Sequence, residues 1–139
     1  MNKIKLFIDH DGTITYFDRI LGMWKYKDGL KEFINFIIEF FDVYWCSGRE
    51  HEEIISGLKK MGVDDSVIDR IPYFEYNICY VKAKSIVEIT KEFIFIDDDN
   101  SNEECKFIRK KGLKNNFIKA HLKEASDLYR IMEILKEKI

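Results

Sequence analysis

The chain has 139 residues, 46% of them hydrophobic and 14% aromatic, which matches one globular domain spanning 1–139 and excludes a disordered composition. Its formal net charge is −2, so the molecule as a whole advertises neither a nucleic-acid nor a membrane-surface partner. The most apolar stretch, 33–46, is interrupted by Asn35, Glu39 and Asp42 and falls short of the ~20 apolar residues of a membrane span, so no membrane association is expected.

An apolar run predicts the first strand over 5–8. Residues 14–27 alternate aromatic and polar side chains, and we read them as a small hairpin, a flap. Helical spacing follows over about 28–41, then a strand over 43–46 and a helix over about 50–61. A short strand is expected between Ile71 and Val81. Next come a helix over about 83–91, a strand over 93–96, a helix over about 101–111, a strand over 116–118 and a helix over about 124–137. Strands that are apolar throughout and separated by helices imply a mainly parallel sheet covered on both faces, a doubly wound α/β sandwich.

In open α/β sheets, ligands bind beyond the carboxyl ends of the strands. There the first strand is followed by Asp9, His10, Asp11, Gly12 and Thr13, the second by Ser47, Gly48 and Arg49, and the fourth by Asp97, Asp98, Asp99 and Asn100. Carboxylates at 9, 11 and 97–99 cannot share one edge fully ionised without a cation among them, because like charges repel strongly at short range. Oxygen-only donors with room for water and phosphate select Mg²⁺.

In an extended segment residues two apart face the same side, so Asp9 and Asp11 can both address one phosphate. Asp9 would attack phosphorus and form an aspartyl-phosphate. Asp11 would protonate the leaving oxygen and then deprotonate the hydrolytic water. An unperturbed Asp, with a pKa near ~3.9, is almost never protonated at neutral pH, so the surroundings of Asp11 are expected to raise that value. Gly12 permits a tight turn that aims N–H groups at the phosphate, Thr13 adds a hydroxyl, and Ser47, Gly48 and Arg49 complete the substrate-binding group. A lysine must neutralise charge in the transition state, and the candidates are Lys82 and Lys84.

The stretches LFIDHDGT, YWCSGRE and FIFIDDDN resemble three motifs of the haloacid dehalogenase (HAD) superfamily of phosphohydrolases, and the resemblance spans essentially the whole chain. It implies a Mg²⁺-dependent phosphatase with nucleophile Asp9, acid/base Asp11, phosphate binding at Ser47 and metal ligation by Asp9, Asp11 and Asp98, with Asp97 close behind. YVKAKS stands for the third motif, and Lys82 is preferred because its distance to Asp97 is more like that in related capless members. The segments after Thr13 and between Ser47 and Lys82 are too short for a cap domain. An uncapped site admits small phosphorylated molecules and macromolecular phosphates alike: a phosphoprotein, a polynucleotide end, an exposed sugar or nucleotide phosphate.

Several of these residues also have a purely structural reading. Ser47 with Glu50 and Ser101 with Glu104 match the S-x-x-E capping box, and Asp99 and Asn100 stand where helix caps belong. Arg49 is either a substrate contact or an exposed first-turn arginine. His10 is expected to point away from its neighbours and pack, Cys46 to be core, and His51 and His121 to lack ligand partners. The flap rings of Tyr16, Phe17, Trp24 and Tyr26 are expected to pack the hairpin on the sheet. Seven cations between Lys106 and Lys123, with no acid among them, read as a solvated helix face or, more sharply, as a landing patch for a polyanion. Cys46, Cys79 and Cys105 form no CxxC pair, and the N-terminus shows no signal-peptide pattern, so a cytoplasmic setting is expected. Two rival functions are a receiver-like phosphoacceptor, disfavoured by the DGT that follows position 10, and a silent phosphate-binding module, disfavoured by the presence of Asp11.

Overall fold

The computed structural model describes residues 2–139. Four parallel strands form one sheet in the order β4-β1-β5-β6, with β1 at Lys5–Ile8, β4 at Asp42–Trp45, β5 at Phe93–Asp97 and β6 at Phe117–Lys119. The antiparallel hairpin of β2, Thr15–Asp18, and β3, Met23–Tyr26, stands apart from it as the flap. The helices are α1 (Leu30–Phe40), α2 (His51–Lys60), α3 (Asp65–Ile68), α4 (Lys82–Ile89), α5 (Glu103–Lys110) and α6 (Asp127–Lys136).

Alternation along the strands builds a core on each face of the sheet, as a parallel sheet requires. Leu6, Ile8, Ile94, Ile96 and Ile118 face the side covered by α1, α2, α3 and α6, where Phe33, Ile34, Ile37, Ile54, Ile68 and Leu128 are buried. Phe7, Phe93 and Phe95 face the other side with Ala83 and Ile86 of α4 and Ile108 of α5. Helices on both faces make the sandwich doubly wound. Among the described residues no helix is long and apolar enough to cross a membrane.

The expected strand between Ile71 and Val81 does not form. The segment meets the sheet only at an isolated bridge from Tyr73 to Trp45, with Trp45 N donating to Pro72 O at 2.9 Å and Phe74 N to Trp45 O at 2.8 Å. Proline carries no N–H, so the ladder cannot extend through Pro72. Phe74 and Tyr76 pack instead against the second core. The four-residue α3 had no periodicity long enough to be read. It is capped by the Asp64 carboxylate, which accepts from Ser66 N at 3.1 Å.

Of the flap rings, Tyr26 packs against the first core as expected. Phe17 and Trp24 meet edge to face at 5.5 Å, Trp24 is half-exposed, and Ile20 at the tip is 95% exposed. The base of the hairpin is anchored, with Phe17 N donating to Leu122 O at 2.9 Å and Lys27 N to Ile14 O at 2.9 Å.

Candidate active site

Backbone pairing carries on past the strands and sets the rim. Asp9 N donates to Ile96 O at 3.0 Å, Cys46 N to Ile8 O at 2.8 Å and Ala120 N to Asp97 O at 2.9 Å. Asp9, Ser47 and Asp97 therefore stand at the same carboxyl edge, and all three are buried. Lys82, the first residue of α4, reaches in with Nζ 3.3 Å from Asp9 Oδ1 and 3.0 Å from Asp97 Oδ2. Lys84 leaves the site and sits 3.5 Å over the Tyr80 ring.

Asp99 takes the helix-capping role expected of it, and Lys82 is placed by a glutamate that pattern reading assigned to a capping box. Asp99, at φ 47°, accepts from Glu104 N and Cys105 N at 3.0 Å each and so caps α5. Glu104 then crosses to α4 and accepts from Lys82 N at 2.9 Å and Ala83 N at 2.8 Å. The Ser101/Glu104 capping box is thus replaced: Asn102 is the N-cap residue, and the glutamate serves another helix. Ser47 does not cap α2 either, whose N-cap residue is Glu50. Its buried hydroxyl oxygen accepts from Arg49 N at 3.1 Å and lines the cleft.

Carboxylate oxygens of Asp9, Asp97 and Asp98 lie within 4.8 Å of one another. Three acids face one ammonium, and the charge is under-compensated. Burial, then the charges of Asp97 and Asp98, push the Asp9 carboxyl up to about 8 against the pull of Lys82. Burial and the neighbouring Asp97 push Asp98 up to about 7. Burial alone would lower the Lys82 ammonium, but Asp9 and Asp97 hold it above its ordinary value. An oxygen-only donor set with an excess of negative charge fits a hard divalent cation, Mg²⁺ above all. Asp9 and Asp98 are the acids free to ligate, because Asp97 spends Oδ2 on Lys82 and Oδ1 on Asp99 N at 2.9 Å.

The Asp11 side chain stands outside this cluster, contrary to its expected place among the ligands. Arg49 grips it through Nε at 2.8 Å and Nη2 at 3.2 Å, and His10 Nδ1 lies 2.6 Å from its Oδ1. Partial burial would raise the Asp11 carboxyl, but the hydrogen bonds from Arg49 and His10 prevail and hold it below the ordinary carboxylate range. That is opposite to the shift an acid/base residue needs. His10 is no mere packing residue, because its Nε2 also lies 3.1 Å from the Tyr26 hydroxyl of the flap. Arg49 is a site residue, paired at the same time with Glu53 at 3.0 Å.

Gly12 adopts φ 77°, and a Cβ there would lie 2.5 Å from Asp98 Oδ2, so the turn brings backbone against the acid. Its N–H is spent on Thr15 Oγ1 at 3.0 Å and is not free for a phosphate. Among the described residues the Thr13 hydroxyl is buried and has no partner. Asp9, Asp11, Ser47, Gly48, Arg49, Lys82 and Asp98 share an open cleft of about 520 Å³. His121 does gain partners, Glu124 at 3.3 Å and Asp127 at 3.6 Å. Asp127 is already saturated by Lys27, Arg130 and His121 N, so that trio is structural.

The fold is a doubly wound α/β sandwich, and its rim carries an acid cluster with a half-buried lysine. No protein-family model matches the sequence, and no curated protein does. Among solved structures the chain is similar to Fcp1, described as an essential RNA polymerase II CTD phosphatase, with a TM-score of 0.54 and 14% identity. The match covers 97% of this chain and 48% of that one, so the chain spans about half the length of Fcp1. A likeness at this identity concerns the fold.

Proposed function

We propose that the chain is a Mg²⁺-dependent phosphomonoester hydrolase working through an aspartyl-phosphate on Asp9. The observation that carries this reading is the buried Asp9 carboxylate, held 3.3 Å from Lys82 and beside Asp98 at the floor of an open cleft. The phosphatase described by the Fcp1 structure, on the same fold, supports it. Asp9 and Asp98 would hold Mg²⁺, with Asp97 adding negative charge behind them. When bound, the ion neutralises the acids and draws charge off the phosphoryl oxygens.

An Asp9 oxygen attacks phosphorus, and the bond from phosphorus to the ester oxygen breaks. The departing oxygen takes a proton from Asp11. Water then gives a proton back to Asp11 and attacks the same phosphorus, which releases inorganic phosphate and restores Asp9. Lys82 supplies positive charge and Ser47 a hydroxyl donor to the phosphoryl oxygens.

Asp11 must be protonated for the first half of this cycle, and Arg49 accounts for how it becomes so. A phosphate dianion entering the cleft competes for the guanidinium, and loss of the bidentate contact removes the first of the hydrogen bonds that hold the Asp11 carboxyl down. The three unpaired cysteines fit a reducing compartment, the cytoplasm.

Hydrolysis of p-nitrophenyl phosphate with and without Mg²⁺ tests the reading. Turnover should require the ion and disappear in Asp9→Asn. A mutant with wild-type turnover removes Asp9 as nucleophile, and a stable phosphoprotein that releases no phosphate points to the receiver-like alternative.

A further inference from the structure

The basic stretch between Lys106 and Lys123 becomes a groove. Helix α5 presents Asn102, Lys106 and Arg109 along one side, the expected i, i+4, i+7 spacing of a single face. Opposite them stand Lys114 and Asn115 of the turn before β6, and Lys119 at its end. These six residues line most of a concavity of about 600 Å³ that contains no acid. Among the described residues none of its four cations pairs with a carboxylate, so their charge faces the groove uncompensated.

The groove starts at the catalytic rim. Lys119 is the register partner of Asp97, and its Nζ donates to Asn102 Oδ1 at 3.1 Å across the mouth. From there α5 and β6 carry the remaining cations toward the opposite edge of the sheet. The seven steps from Asn102 to Arg109 span about 10 Å at ~1.5 Å each, room for roughly three nucleotides of a stacked strand at ~3.4 Å per step.

Resting on the phosphatase reading above, we propose that this groove holds the backbone of a polynucleotide strand whose terminal phosphate enters the cleft at Asp9. Its lining is suited to a regular series of phosphates: separate point charges, one guanidinium and two amides, without carboxylates. Only Phe117 and Cys105 add apolar surface, so the groove lacks the buried anchors that hold a peptide. With a net charge of −2 for the whole chain, the attraction is confined to this face.

The test compares 3′- and 5′-phosphorylated DNA and RNA 12-mers, an acidic phosphopeptide and p-nitrophenyl phosphate, in wild type and in the triple variant Lys106→Gln, Arg109→Gln, Lys114→Gln. The variant should lose about 10- to 100-fold in kcat/KM on at least one oligonucleotide, and its salt dependence should flatten, since each single-strand phosphate contact contributes a slope of roughly −0.7. Turnover of p-nitrophenyl phosphate should stay unchanged, which also shows that the variant folds. Equal losses on both substrates, no loss on any oligonucleotide, or a groove-dependent preference for the phosphopeptide overturns the proposal. If wild type hydrolyses nothing, the phosphatase reading fails by itself. The groove is then judged by fluorescence anisotropy with a labelled phosphorylated 12-mer, where equal affinity of wild type and variant overturns it.

Discussion

A buried lysine, Lys27, and a half-buried one, Lys82, sit against aspartates, and the surroundings of the two differ in charge. Lys27 is fully buried with Nζ 3.0 Å from Asp127 and 3.2 Å from Gly12 O, and Asp127 also accepts from Arg130 Nε at 2.6 Å and His121 N at 2.7 Å. Every strong group there has a partner, and the cluster ties the Gly12 turn and the base of the flap to α6. Lys82 faces Asp9, Asp97 and Asp98 with no second cation. The first cluster is saturated and holds structure together; the second is left short of positive charge, the state on which the proposed Mg²⁺ and phosphate binding rests.

The largest expected consequence lies at the saturated cluster. Asp127→Ala strands the Lys27 charge inside the protein and should lower stability by about 3–5 kcal/mol in urea denaturation. At the other cluster, removal of an acid should act in the opposite direction. Asp98→Asn should leave the metal-free protein as stable as wild type or more so near neutral pH, by roughly 1 kcal/mol after allowance for the partial exposure of Asp98. A loss there comparable with that of Asp127→Ala would erase the distinction between the two clusters.

The pH dependence separates them further. The carboxyls of Asp9 and Asp98 are raised to about 8 and about 7, so the fold holds protons that the unfolded chain releases. Their contribution is complete below the ordinary carboxylate range and is lost as pH rises toward 8. Burial favours the neutral form of Asp127, but Arg130, His121 and Lys27 hold its carboxyl below the ordinary value, so its contribution is lost as pH falls. Without metal, melting temperature should therefore decline from about pH 5 to 8, and the stabilisation by added Mg²⁺ should grow over the same interval as the ion displaces protons. A shift by Mg²⁺ that is independent of pH would contradict the displacement.

The smallest effect concerns the neighbouring lysine. Lys84 lies over Tyr80 away from the acids, so Lys84→Ala should change stability by no more than about 0.5 kcal/mol and turnover by no more than about twofold. Lys82→Ala should abolish turnover in the same assay. Equal losses in the two variants would remove the special position of Lys82.

Apolar runs announced β1, β4, β5 and β6, and the polar residues that follow the first three placed the rim, because strands buried on both faces must be apolar throughout. Helices fell within a few residues of their observed limits for a similar reason: Leu30, Phe33, Ile34, Ile37 and Ile38 repeat at helical spacing whatever the rest of the chain does. The segment after Pro72 was misread because its aromatic alternation serves packing against the second core, and the missing N–H decides against a strand.

Local pattern therefore determined the α/β sandwich and the side of the sheet on which its acids gather. Tertiary structure alone decided how the charges pair: Lys27 with a residue 100 positions away, Glu104 across to α4, and Arg49 onto Asp11 from 38 positions away. The physical reason is range. Hydrophobic periodicity is written into neighbouring residues, whereas the protonation and partner of a carboxylate depend on burial and on charges that only the folded chain brings within a few ångströms.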